Sequence, residues 1–289
     1  MLRCAFLTTN NLEDFFIYDD LVKPHLEALG WQVVDVPWRE KDHDYNQYDV
    51  VVVRSTWDYQ EYPEAFINTL TQIEKSTARL ENAYELMVWN FSKDYLRDLE
   101  VAGVAILPTI WLDVFNEEVI SGAFSYFTSG EIIIKPRVSA NADSTYRLTH
   151  AAWMKNREAI AEDLKQRPLM IQKFEQTILE QGEFSLFYFA HKYSHTINKR
   201  PEKGDFRVQE EHGGSLAKVD PSYDMLELAE KTLESLPQSA LYARIDMLQT
   251  DLGLAIIEVE LIEPSLYFNM DEPSAKRFAI ALNERFKVT

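Results

Sequence analysis

The chain has 289 residues, 46% hydrophobic and 26% charged, which suits an ordinary globular protein with room for more than one core. A formal net charge of −18 argues against the phosphate backbone of nucleic acid as a partner. A small phosphate ligand stays admissible, because a few local lysines or one divalent cation reverse the field. No uninterrupted apolar run of about 18 residues occurs, so neither a membrane span nor a membrane partner is expected.

The opening "MLRCAFLTTN" lacks a basic leader followed by a long apolar stretch, and it reads as a first strand in a cytoplasmic protein. The single cysteine, Cys4, lies within that strand and reads as a buried structural thiol, with no internal disulfide possible. "WQVVDVP" and "YDVVVVRST" read as two further strands. Between the first two, Asp19 to Leu29 is weakly helical and closed by Gly30; Pro24 suits a helix start better than an interior. The spacing of Phe66, Ile67, Leu70 and Ile73 predicts a helix from Pro63 to about Ala78 that covers the sheet. These elements make a small α/β unit, residues 1–88.

A second unit, residues 89–175, starts at "WNFSKDYLRDLEVAGVAILPTIWL". Ser92 suits an N-cap, Leu96 and Leu99 face inward, and Gly103 suits the position just past the helix end. "VAILPTIWL" then reads as a strand. A helix near Glu117 to Tyr126, the strand "EIIIKP", the polar loop "RVSANADST", the short strand "TYRLT", a helix over about Ala152 to Lys165 and the strand "LMIQKF" complete it. In a third unit, residues 176–289, "GEFSLFYFA" and "KYSHTINKR" read as an antiparallel pair. The loop "PEKGDFRVQEEHGG", a helix from Tyr223 to Leu236, a hairpin and a last helix near Ser274 to Phe286 follow. The fold class is α/β (α+β) with mixed sheets.

That hairpin, "ARIDMLQTDLGLAIIEVELIEP", threads acids through apolar strands. Alternation puts Arg244 and Asp246 on one strand face, and Glu258 and Glu260 on one face of the next. A three-residue turn, Asp251-Leu252-Gly253, sets Asp246 opposite Glu258 and Arg244 opposite Glu260. Two carboxylates about 4 Å apart repel by roughly 4 kcal/mol at an effective dielectric near 20. A shared proton, an arginine or a hard divalent cation, usually Mg2+ beside phosphates, offsets such repulsion. On pattern alone, a metal site and a solvated acidic face both stay open. Lys93, Lys135 and Lys173 supply positive charge at strand or helix ends, where a lone lysine is usually a solvated surface charge.

The ordered set resembles the ATP-grasp family. It consists of Lys93 with "VAGVAILP", Lys135-Pro136, "IQKF", Gly182-Glu183, Arg244/Asp246 and Glu258/Glu260, over about residues 90 to 268. The chain is most similar to the glutathione-synthetase-like branch, and over "FSLFYFAHKYSHTINKRPEKGDFRVQEEHGG" to D-cycloserine-forming cyclo-ligases. This resemblance implies an ATP-grasp fold: a small N-terminal domain, then a first lobe with a lid, then a C-terminal lobe with the metal site. It implies that Lys93 and Lys135 hold ATP phosphates, that Gln172 and Lys173 with the Phe174 backbone read adenine, and that Glu183 meets the ribose. Asp246, Glu258 and Glu260 would bind Mg2+, and Arg244 would stabilise the transferring phosphoryl group. The lid loop "RVSANADST" has no glycine, so the hydroxyls of Ser139, Ser144 or Thr145 replace backbone cradling.

Further candidates come from the residues themselves. Arg207 sits in a loop closed by Gly213-Gly214 and suits an anion or acyl-phosphate contact; pairing with Glu210 or Glu211 is the alternative. Lys199 ends the strand beside that loop. Arg54, Ser55 and Asp58 follow the third strand at its carboxyl end, where α/β folds place ligands, and are expected to meet the substrate's carboxylate or amine. The alternative there is a loop that packs Trp57 into the core. Glu263 is expected to orient a nucleophile or to cap its strand. His191 and His195 are four apart in a hairpin, which makes no zinc face. The expectation is an ATP- and Mg2+-dependent, ADP-forming ligase acting on a small amino-acid-like or peptide substrate. An intramolecular cyclo-ligase and a non-catalytic ATP-binding regulatory module are the alternatives. Oligomeric state is left open, with a homodimer among the options.

Overall fold

In the computed structural model, which describes residues 1–12, 15–139 and 142–287 without the side chain of Glu211, the valine-rich N-terminal runs pair in parallel. The elements are β1 (Leu2–Thr8), α1 (Lys23–Ala28), β2 (Trp31–Pro37), β3 (Val50–Ser55), α2 (Pro63–Glu74) and β4 (Arg79–Glu81). The sheet order is β2-β1-β3-β4. A parallel strand covered on both faces needs apolar residues at every position, which is why β3 reads as unbroken valine. On one face α2 packs through Phe66, Leu70 and Ile73. Pro24 lies in the first turn of α1, where its missing N–H loses no helical bond.

The middle of the chain contributes α3 (Tyr84–Asn90), α4 (Tyr95–Val101), β5 (Thr109–Leu112), α5 (Glu117–Tyr126), β6 (Glu131–Pro136), β7 (Tyr146–Thr149), α6 (His150–Leu164) and β8 (Leu169–Lys173). Their strands form an antiparallel sheet, β5-β8-β6-β7, backed by Ile120 and Phe124 of α5 and Trp153 and Ile160 of α6. The rest comprises α7 (Thr177–Glu180), β9 (Glu183–Phe189), β10 (Lys192–Arg200), β11 (Ser215–Lys218), α8 (Tyr223–Glu234), β12 (Tyr242–Thr250), β13 (Gly253–Glu260) and α9 (Glu272–Lys287). This third sheet is antiparallel, in the order β11-β10-β9-β12-β13.

The first and third sheets share a core. Phe278 of α9 packs edge-on against Phe6 of β1 at 6.5 Å and against Phe189 of β9 at 5.4 Å. The other face of the third sheet is covered by α8, whose Ala229 and Leu233 join Ile245, Met247 and Val259. Cys4 is fully buried in the shared core, and burial pushes its thiol up, as expected of a structural residue.

Some expectations are corrected. Helix α4 starts at Tyr95 with Asp94 rather than Ser92 at the N-cap position; the Ser92 hydroxyl donates to the Asp94 carboxylate at 2.7 Å and accepts from the Asp94 N–H at 3.4 Å. "VAILPTIWL" is a strand only over Thr109–Leu112, because the segment before Pro108 pairs with β13 on its own. Short elements β4, α3, α7 and β11 carried too few periodic residues to be read in advance.

Candidate nucleotide and metal site

The hairpin β12–β13 places the acids. Thr250 pairs with Gly253, so the turn holds two residues, Asp251 and Leu252, rather than the expected three. A ladder running on from that turn would set Asp246 opposite Ile257 and turn Glu258 and Glu260 to the far face. Instead the register shifts after Met247↔Ile256, and Ile257 is left unpaired as a bulge. Asp246 then opposes Glu258, and Arg244 opposes Glu260. The shorter turn and the bulge cancel at the site, so the expected pairing holds there by a different route.

The outer edge of β13 is held by side chains and by one short segment. The Asn90 amide donates to the Val259 carbonyl (2.8 Å) and accepts from the Leu261 N–H (2.9 Å). The Tyr95 hydroxyl accepts from the Val259 N–H at 2.8 Å. Residues Ala105 and Leu107 bond both polar groups of Ile256. An edge covered this way cannot slide, so the acidic face is fixed before any ligand binds.

On that face, carboxylate oxygens of Asp246, Glu258 and Glu260 lie within 4.8 Å of one another. Three all-oxygen donors suit a hard cation such as Mg2+. Among the described residues this is the one group of three or more metal-type ligands within such reach. The protein's own cations offset the repulsion. Arg244 donates to Asp246 at 2.9–3.1 Å and to Glu260. Lys199 pairs with Glu183 and stands 3.6 Å from Asp246. Burial pushes Glu260 up to about 7, with Glu258 and Asp246 adding to it against Arg244. Burial also opposes ionisation of Glu258, but Lys93 and Lys135 outweigh it and hold that carboxyl below its ordinary range.

The second sheet and the segment between α3 and α4 supply the opposing wall. Lys93, buried just ahead of α4, donates to the Ser139 carbonyl at 2.8 Å and pairs with Glu258 at 3.0 Å. Lys135, at the end of β6, lines the same cleft and has no hydrogen bond or ion pair among the described residues. Burial pulls its ammonium down to about 8. A half-buried cation without a partner is ready to take an anion, because pairing offsets part of its desolvation cost. The cleft between the two sheets has a volume of about 240 Å3. At its far end Leu107, Leu248 and Ala255 pack with Ile178 and the bulged Ile257, an apolar floor beside the β8 hinge.

Comparison with known proteins adds to this geometry. Residues 4–82 match the family described as the N-terminal domain of D-cycloserine synthetase DcsG. The cycloserine biosynthesis protein DcsG of Streptomyces lavendulae is 25% identical over 294 residues, covering 91% of this chain and 93% of that protein. The crystal structure of D-cycloserine synthetase DcsG superposes with a TM-score of 0.87 at 22% identity, over 98% of this chain and 99% of the other. The ATP-grasp ligase PsnB, solved with minimal precursor, Mg and ADP, gives a TM-score of 0.65 at 12% identity over 98% of each chain. The chain has the ATP-grasp fold. Over nearly its whole length it is DcsG-like and an enzyme of the ligase class, and the ATP-grasp ligase PsnB holds Mg and ADP.

The ATP-grasp cleft brings together most residues singled out from sequence. Lys93, Lys135, Ser139, Gln172, Lys173, Phe174, Glu183, Lys199, Arg207, Arg244, Asp246, Glu258, Glu260 and Glu263 all line it. Several are held differently from expectation. The Ser139 hydroxyl donates back to the Pro136 carbonyl at 3.2 Å, leaving its backbone oxygen to hold Lys93. The Gln172 amide donates to the Thr109 hydroxyl at 3.0 Å, which ties it to β5. Lys173 reaches Glu175 at 3.3 Å and Asp251 at 3.4 Å. Arg207 pairs with Asp205 at 2.7 Å, a partner not weighed in advance. In the lid loop, Ala142 and Ser144 adopt φ of +57° and +49°, doing without the glycine such angles favour. Ala140 and Asn141 of that loop lie outside the described residues.

The expectation for Arg54, Ser55 and Asp58 is overturned. None of the three lines the cleft. Arg54 is buried, donates to Asp19 at 2.9 Å and to the Pro264 carbonyl at 3.0 Å, and lies over the Tyr242 ring. Asp58 accepts from the Trp38 indole at 2.6 Å and pairs with Arg39. Ser55 is fully buried at the end of β3. The same loop reaches the cleft through Trp57 and Tyr59 instead. Sequence reading also missed Asn90, Tyr95, Glu175 and Tyr267. An asparagine ending the apolar face of α3 was the available signal, because a buried amide needs backbone partners.

Proposed function

We propose that the chain is an ADP-forming ligase that uses ATP and Mg2+ to join a carboxyl to an amine in a small amino-acid-like substrate. The observation that carries this reading is one cleft in which three carboxylates within 4.8 Å of one another face Lys93, ahead of α4, and the unpartnered Lys135 on the opposite sheet. Such a wall matches a nucleotide's terminal phosphates with their cation. Bound Mg2+ would neutralise charge on those phosphates, with Asp246, Glu258 and Glu260 holding it. Lys93 and Lys135 would hold phosphate oxygens as point charges, Arg244 would stabilise charge on the phosphoryl group in transfer, and the apolar floor at Leu248 and Ile257 would take the adenine. Gln172, Lys173 and the Phe174 backbone would read the base, and Glu183 the ribose.

A substrate carboxylate oxygen then attacks the γ-phosphorus and the bond to ADP breaks, leaving an acyl-phosphate. An amine attacks its carbonyl carbon, inorganic phosphate departs with the bonding pair, and the amine loses a proton to solvent. Lys199 and Arg207 would meet the developing anions. Catalysis is then positioning and charge neutralisation, with no general base required. The likeness to DcsG over nearly the whole chain favours the ring-closing version, in which carboxyl and amine belong to one molecule. We keep the division into an N-terminal domain (1–88), a first grasp lobe (89–175) and a metal-bearing lobe (176–289), and a cytoplasmic setting. ADP release screened over amino-acid and dipeptide pools tests the reading. Turnover with at least one pool supports it, and ATP binding without turnover on any pool favours the regulatory module.

A further inference from the structure

Beyond the metal face the cleft continues toward the first sheet, and its character changes. Its walls there are Trp57, Tyr59, Phe91 and Tyr267, with Phe15 packed on Trp57 at 5.1 Å between ring centres. One carboxylate sits among them. Glu263 follows β13 by three residues, its backbone carbonyl fixed by the Trp57 indole N–H at 2.8 Å. Three of the cleft's cations are engaged elsewhere: Lys93 with Glu258, Lys199 with Glu183 and Asp246, Arg244 with Asp246 and Glu260; Lys135, which has no partner among the described residues, stands on the phosphate wall. Glu263 has no ion pair among the described residues; the Tyr59 hydroxyl bonds it, and burial with the nearby Glu260 and Glu258 carboxylates pushes its carboxyl up to about 8 against the pull of Lys93 and Arg244.

We infer that Glu263 is the recognition site for a primary ammonium group of the substrate, with Tyr59, Trp57 and Tyr267 as its aromatic walls. A half-buried carboxylate lacking a cation is completed by one, and aromatic faces add attraction for the same charge. In this part of the cleft Arg244 stands on the metal face and Glu263 lies beyond it. A zwitterionic amino acid lies in it one way round, carboxylate toward Arg244 and the phosphates, ammonium toward Glu263. Hydroxy acids and N-acylated acids lack the group that Glu263 awaits, so the enzyme rejects them. This rests on the ligase reading of the cleft.

The test uses the full chain loaded with Mg·ADP. Amino acids of both hands, with the matching hydroxy acids and N-acetyl acids, are titrated by calorimetry or thermal shift. Wild type is expected to bind at least one amino acid ten-fold or more tightly than its amine-free counterparts, and Glu263→Gln to erase that ratio. Equal binding of the amine-free acids, retained discrimination in Glu263→Gln, or no amino acid bound at all overturns the inference. Failure of Mg·ADP itself to bind wild type would be a separate result, against the ligase reading.

Discussion

The hairpin β12–β13 and the carboxyl end of β3 both bring charge out of apolar strands, and they use it in opposite ways. In the hairpin, Asp246, Glu258 and Glu260 stand on one face, and that face borders a cleft. At β3, Arg54 turns inward, where Asp19, a backbone carbonyl and two aromatic rings surround it and join the first sheet to the last. The difference lies in what the local pattern fixes. Several charges at spacing two, on two strands that pair, commit a whole face. A single charge at a strand end says nothing about which neighbour will claim it, because that partner arrives from Asp19 and Pro264, far off in sequence.

Breaking each region should therefore break a different property. Asp246→Asn and Glu258→Gln are each expected to lower ATP-dependent ADP formation about a thousandfold, about 4 kcal/mol of transition-state stabilisation, while far-UV circular dichroism stays unchanged. Arg54→Met should do the reverse. It leaves Asp19 buried without its cation, so denaturant unfolding should show a loss of about 3 kcal/mol, with nucleotide affinity unchanged. Activity lost in step with Arg54 at constant stability would restore that residue to the site.

A third region sharpens the contrast. His195 is buried, stacked on Phe187 at 4.3 Å; its Nε2 lies 3.1 Å from the Leu266 carbonyl, to which it donates, and Ser194 meets its Nδ1. Burial pulls it from 6.5 to about 4; Asp271 pulls the other way, and Arg277 and Lys218 add to the fall. The unfolded chain thus takes up this proton first. Its cost is absent above pH 6.5, grows as pH falls, and saturates below pH 4 at about 3 kcal/mol. His195→Asn should flatten that part of the stability profile between pH 6.5 and 4, measured as the difference from wild type. The smallest effect belongs to the bulge. Ile257→Ala trims the apolar floor proposed for adenine and should weaken ATP about fivefold, roughly 1 kcal/mol, leaving the Mg2+ dependence of binding as it was.

These residues also show how far the sequence could be read. The order of lysines, glycine-glutamate turn and acidic hairpin was visible because each sits on a short apolar run with clear ends. The pairing at Asp246 and Glu258 was legible, but the two-residue turn and the bulge at Ile257 were not, since each is a single-residue choice and the two offset each other. Asn90 and Tyr95 were hidden because their partners, the backbone groups of β13, lie more than 160 residues away. Trp57 was weighed only as a core residue and Tyr59 was overlooked beside Arg54, although an aromatic ring at a strand end can line a cleft as well as a charge can.

The central claim is that the acids of β12 and β13 converge around a divalent cation carried by a nucleotide. Calorimetric titration of ATP into the wild-type chain, with and without Mg2+, tests it most directly. The account predicts that Mg2+ tightens ATP at least ten-fold, and that Asp246→Asn with Glu258→Gln removes this linkage. ATP affinity indifferent to Mg2+ in the wild type, or a linkage that survives both substitutions, would contradict it.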